Sequence, residues 1–145
     1  MAKHHTKDKG DKGLGFVIAD LLKNNIQVAT LLSEHLPFDC IAISEKGELR
    51  RVSVKYRALD RGAVEVALKS SWTDSHGTHI KQHDMSSYDA IAVYNPESNQ
   101  CFYVNVSEVK TKVIRLRVQS PKNNQTTGIL MAKDYLHPAR LFKEL

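Results

Sequence analysis

Apolar residues recur at helical spacing early in the chain: Leu14, Val17, Ile18, Leu21 and Leu22 share one stripe between Lys12 and Asn24, and Asn24-Asn25 supplies a stop. This predicts a helix with one buried face. The period then changes, and short β-favouring runs occupy 26–32, 38–43, 49–57 and 64–69, punctuated by Glu45-Lys46-Gly47 and Asp60-Arg61-Gly62. They predict strands of one sheet joined by hairpins. Residues 70–87 are polar and without periodicity, too long for an ordinary connection, which predicts a binding loop. Strand patterns resume at 90–94, 102–106 and 113–118. A polar run at 120–127 follows, and 129–136 reads as helical as far as Pro138. The chain holds no internal repeat.

A chain of 145 residues fits one domain, 1–145, able to bury roughly 70% of its unfolded surface; residues 1–9 are expected to be a basic, flexible tail. The net charge of +5 favours polyanionic partners. Cys40 and Cys101 lie in or beside apolar runs, with neither zinc-ribbon nor disulfide spacing, as expected of buried thiols in a reducing compartment. No secretory leader and no run of about 18 apolar residues is present, so a soluble cytoplasmic protein without membrane contact is expected.

Within 51–57 a period of two puts Arg51, Ser53, Lys55 and Arg57 on one face and Val52, Val54 and Tyr56 on the other. One reading is an amphipathic strand with a wet basic face. The other brings in Asp39, on a neighbouring strand-like segment after Pro37, where its carboxylate would lie beside Ser53 and Lys55. Phosphodiester hydrolysis needs a hard cation held by oxygens, an activated water and positive charge against the developing phosphorane. Asp39 can hold the metal, the Val54 carbonyl can add a ligand, and Lys55 can position the water or offset the charge.

Beyond this pair, several stretches form a broader pattern: Lys9-Gly10-Asp11-Lys12-Gly13 leading into Val17-Ile18-Ala19-Asp20-Leu21, then Glu34-His35-Leu36-Pro37-Phe38-Asp39 and Val54-Lys55-Tyr56-Arg57. Ser70-Ser71-Trp72, Gly77-Thr78-His79-Ile80-Lys81 and Pro121-Lys122-Asn123-Asn124-Gln125 complete it. In these the chain resembles the PD-(D/E)xK nuclease superfamily and, more closely, its branch of bacterial group I intron-encoded homing endonucleases. The resemblance implies an α/β fold, a mixed central β-sheet flanked by helices. It also implies Mg2+-dependent double-strand cleavage, with Mn2+ able to substitute, and a homodimer or homotetramer on a long pseudo-palindromic DNA target. Two positions depart from the branch pattern: Leu14 stands where a helical glutamate is expected, and Ser53 where a Gln, Glu or Asp is expected. The expectation is therefore a homing-type endonuclease with a weakened metal site. Its rivals are an inert sequence-specific DNA-binding module, and a junction resolvase or RNA-processing nuclease on the same fold.

A hairpin about the Asp60 turn would set Glu65 opposite Lys55, as a relocated metal ligand or as a plain ion pair. Candidate DNA contacts are Arg57, His79, Lys81, Arg115, Arg117, Asn123, Asn124 and Gln125, since arginine and lysine suit guanine, and asparagine and glutamine suit adenine. For Arg115 and Arg117 the alternative is a solvated sheet face. His76, His79 and His83 raise a zinc alternative. Asp11 and Asp20 read as helix-surface residues.

Overall fold

A computed structural model describes residues 5–82, 87–120, 123 and 128–143, the side chains of 69–74 and 78–82 excepted. The first element, α1 (His5–Lys23), buries Gly13, Val17 and Leu21, the centre of the apolar stripe. Its residues 5–9 belong to the stretch expected to be a flexible tail. Its end is set by Asn25 at φ 63°, whose N–H donates to the Leu22 carbonyl at 3.1 Å while the Ile26 N–H reaches Leu21 at 3.0 Å. That paired closure is a Schellman cap, and asparagine tolerates its left-handed position.

Five strands make the central sheet: β1 (Gln27–Thr30), β2 (Cys40–Ile43), β3 (Leu49–Tyr56), then β7 (Ala90–Asn95) and β8 (Gln100–Asn105), in that spatial order. Between β3 and β7 run β4 (Ala63–Ala67), β5 (Lys69–Asp74) and β6 (Gly77–Gln82); β9 (Val113–Arg117) and β10 (Leu130–Met131) come after β8. The β3–β7 pair is parallel and the other pairs of this sheet are antiparallel, so the sheet is mixed. One face packs on α1 through Val52, Ala90, Ala92 and Tyr103. On the other, Ile91, Val93, Phe102 and Val104 meet Val64 and Val66 of β4 and Ile114 and Leu116 of β9. Burial on both faces is why β7 and β8 read as continuous apolar runs.

The α/β class with a mixed sheet holds, and four details of the expected fold are corrected. Among the described residues α1 is the one α-helix, and a small sheet of order β10-β9-β4 covers the face where a second helical layer was expected. β4 pairs with β9 rather than with β3. The supposed loop at 70–87 contains the β5–β6 hairpin, whose polar strands lack the alternation that reveals a half-buried strand. The run at 129–136 forms β10 and a one-turn 3-10 helix, Ala132–Tyr135, in place of an α-helix. No helix among the described residues is long and apolar enough to cross a membrane.

Candidate active site

β2 enters the sheet at Cys40, opposite Val52 of β3, and Asp39 stands one residue before that entry. Its N–H donates to the Val52 carbonyl at 2.9 Å, and its Oδ2 accepts the Val54 N–H at 2.7 Å. The carboxylate therefore takes the place of the strand that would have paired with Val54. Peptide N–H and C=O of one strand residue point to the same side, so the Val54 carbonyl is aimed toward the edge that Asp39 occupies. Asp39 itself is exposed. Carrying the register one step beyond Cys40–Val52 sets Asp39 opposite Ser53, which is 5% exposed.

Lys55 follows two residues later on the face of Ser53, half-buried, and its parallel partner across the sheet is Val93 of the second core. Burial pushes the Lys55 amine below the ordinary lysine value, the Arg57 charge pushes it the same way, and the Asp39 carboxylate opposes both. The acid after Pro37 and the amine before Tyr56 thus share one electrostatic neighbourhood. Arg57 extends it: its Nη1 donates to the Tyr56 carbonyl at 3.0 Å and its N–H to Tyr94 at 2.9 Å, which ties the end of β3 to β7.

Behind this strand, Gly13 of α1 lies so close that a Cβ there would sit 3.4 Å from Tyr56 Cβ and 3.7 Å from Val54 Cγ1. These are ordinary van der Waals separations, so the helix packs closely on the strand that carries Lys55. Leu14, where the resemblance led to the expectation of a glutamate, packs against the α1-side core. An alkyl chain there offers no donor. Asp20, expected as surface decoration, accepts a 2.6 Å hydrogen bond from the hydroxyl of fully buried Tyr103, so it anchors the helix to β8.

Other sequence candidates fall elsewhere. The hairpin that would bring Glu65 opposite Lys55 does not form: Glu65 pairs in register with Arg115, and their side chains form a 2.9 Å ion pair. Arg115 also donates to Asp60 Oδ2 at 3.3 Å and to the Asp60 carbonyl at 2.7 Å, so this guanidinium is committed within the β4–β9 sheet. Arg117 lies on the same strand with its Nε 3.3 Å from the Gln119 carbonyl. The side chains of His79 and Lys81 and the whole of Asn124 and Gln125 lie outside the described residues; Asn123 is described, in a turn. His83 is also outside, and among the described residues no group of three or more His, Cys, Asp and Glu gathers for a metal. Cys40 and Cys101 are free and buried, burial pushing each thiol up to about 12, which leaves them unreactive near neutrality.

Sequence reasoning missed Asp89, which precedes β7 as Asp39 precedes β2. Its Oδ2 accepts the Arg51 N–H at 2.7 Å, and Arg51 Nη2 forms a 3.2 Å ion pair with Oδ1. The signal available was the repeated pattern of an aspartate directly before an apolar run.

No curated protein matches the chain by sequence. In three dimensions it is similar to the bacterial homing endonuclease I-Ssp6803I, with 20% identical residues, a TM-score of 0.77, and 96% of this chain and 93% of that one covered. That likeness concerns the fold. The sequence profile of the PD-(D/E)XK endonucleases matches residues 4–138, nearly the whole length, and includes both Asp39 and Lys55. By this match the chain belongs to the PD-(D/E)XK endonuclease family.

Proposed function

We propose that the protein is a site-specific double-strand DNA endonuclease of the homing type, dependent on Mg2+ with Mn2+ able to substitute. It would act as a homodimer or homotetramer on a long pseudo-palindromic target. The observation that carries this reading is the Asp39 carboxylate, fixed on the Val54 amide and exposed to solvent beside the desolvated Lys55 amine.

The donor set fits Mg2+ at the weak end of its range, because that ion is commonly held by one or two carboxylates together with substrate phosphates and water. Asp39 and the Val54 carbonyl would hold it. Bound there, the ion would supply Lewis acidity and lower the pKa of a water molecule. Asp39 has one oxygen engaged by the Val54 N–H, which orients the other. Lys55 is half-buried beside Val93 and feels the Asp39 charge, so its amine would need little reorganisation to meet negative charge growing on a phosphate. Arg57 adds a second cation on the same face. Leu14 and Ser53 contribute no carboxylate, so metal binding should depend strongly on DNA being present.

The inert-module reading is favoured by one observation, the absence of a three-ligand acidic or histidine cluster among the described residues. Incubating the protein with a randomised duplex pool in Mg2+ or Mn2+, then sequencing cut ends, separates the two. A recurrent cut site lost in Lys55→Met supports the endonuclease. Specific binding with no cutting at high Mn2+ supports the inert module. Preference for branched or A-form competitors would instead support the resolvase or RNA-processing alternative.

A further inference from the structure

Three non-glycine residues of the described chain have positive φ: Asn25 at 63°, Asn99 at 52° and Arg61 at 49°. Asparagine is the ordinary choice for that region, because its short side chain bonds locally; a long side chain there is uncommon and strained. Arg61 is the exception. It occupies the first central position of a tight turn closed by mutual bonds, Asp60 N–H to the Ala63 carbonyl at 2.8 Å and Ala63 N–H to the Asp60 carbonyl at 3.1 Å. Gly62 follows at φ 79°, so both central residues are left-handed, as in a type I′ turn, where Asn-Gly is preferred.

Nothing in the fold requires arginine at this point. Its side chain is 83% exposed, and its Nε forms a loose, exposed ion pair with Asp60 Oδ1 at 3.6 Å. The backbone beneath it, in contrast, is heavily braced. The Gly62 carbonyl accepts from the N–H groups of Val118 at 2.9 Å and Gln119 at 3.0 Å, and Arg115 grips the Asp60 carbonyl at 2.7 Å. A strained position is thus held rigidly while its guanidinium, apart from the loose Asp60 pair, faces solvent. Five residues lie between Lys55 and Arg61, so the two are within about 22 Å of each other, less than one turn of duplex.

We infer that the Arg61 turn is a DNA-backbone clamp: the braced turn presents its guanidinium to a phosphate of the duplex on which Asp39 and Lys55 act. The inference rests on the DNA-binding reading above. An exposed guanidinium reaches a phosphate with little desolvation, and its fork matches two phosphate oxygens. The turn's rigidity means that little backbone entropy is lost on contact.

The test is Arg61→Asn, which suits the left-handed position and should keep or raise the melting temperature. Binding to a random-sequence duplex in EDTA is followed across salt, because phosphate contacts dominate nonspecific affinity and no cognate site is needed. The expected result is roughly three- to tenfold weaker binding at about 50 mM salt, and a log–log salt slope shallower by about 0.9, with folding intact. Lys46→Asn, removing an exposed charge at the other end of β3, should leave the slope unchanged. Wild-type affinity and slope in Arg61→Asn would overturn the clamp alone. An equal loss in Lys46→Asn would overturn it too, as a generic charge effect. Failure of the unaltered protein to bind duplex would remove the clamp together with the nuclease reading.

Discussion

Asp39 and Asp89 stand in equivalent places on opposite sides of β3, each one residue before a neighbouring strand begins, and each accepts a main-chain N–H of β3 at 2.7 Å. Their charges meet different fates. Asp89 is neutralised by the Arg51 guanidinium, and although burial raises its pKa, the bonds and charge of Arg51 outweigh this and hold it below the ordinary range. Asp39 forms no ion pair among the described residues and remains exposed, with Lys55 as a neighbour whose amine is already depressed by burial. The same local device closes a strand on one side and leaves an exposed carboxylate on the other. What separates them is the partner that tertiary packing supplies.

The largest effect expected from this contrast is in Asp39→Asn. The amide oxygen can still accept the Val54 N–H, so stability should change by less than about 1 kcal/mol. Mn2+-supported cleavage should fall at least about 100-fold. Wild-type cutting in this variant would end the distinction between the two aspartates.

Lys55→Met should lose cleavage by about 100-fold or more, while gaining about 0.5–2 kcal/mol of stability through removal of a desolvated charge. The sign follows from its lowered pKa: the folded state releases the proton more readily than the unfolded state. The advantage of methionine is therefore full below the lowered Lys55 value and fades as pH rises toward the ordinary 10.5. Denaturant midpoints across that range would measure it.

Asp89→Asn should leave cleavage unchanged and cost about 1 kcal/mol or less, because the ion pair is partly exposed. The wild-type advantage should be complete above the ordinary aspartate value of 3.8 and disappear as pH falls through the lowered Asp89 value. Loss of cutting in this variant would give Asp89 a role that its ion pair does not suggest. The smallest effect belongs to Arg115→Ala, whose three contacts are with Glu65 and the exposed Asp60 turn: about 0.5 kcal/mol in chemical denaturation and no change in the salt slope of DNA binding. A shallower slope would restore Arg115 as a DNA contact.

Much of the architecture was legible because burial leaves a periodic trace. The stripe Val17–Leu21, the runs of β7 and β8, and the alternation in β3 each report which faces meet a core. The β5–β6 hairpin was illegible for the complementary reason: its residues are mostly polar, so no apolar period marked it. Glu65 shows the limit for sites. Its strand was found, but a turn at Asp60 is compatible with pairing to β3 or to β9, and local sequence does not choose between them.

The sequence by itself determined that an acid at 39 and an amine at 55 stand on neighbouring strand-like segments, that Leu14 offers no ligand, and that β3 has two unlike faces. These depend on residue chemistry and near-neighbour geometry. Only the tertiary structure decided which charges are cancelled, leaving Asp39 open while Asp89, Glu65 and Arg115 are paired. Charge pairing joins residues distant along the chain through strand register, and register is fixed by the packing of whole sheets.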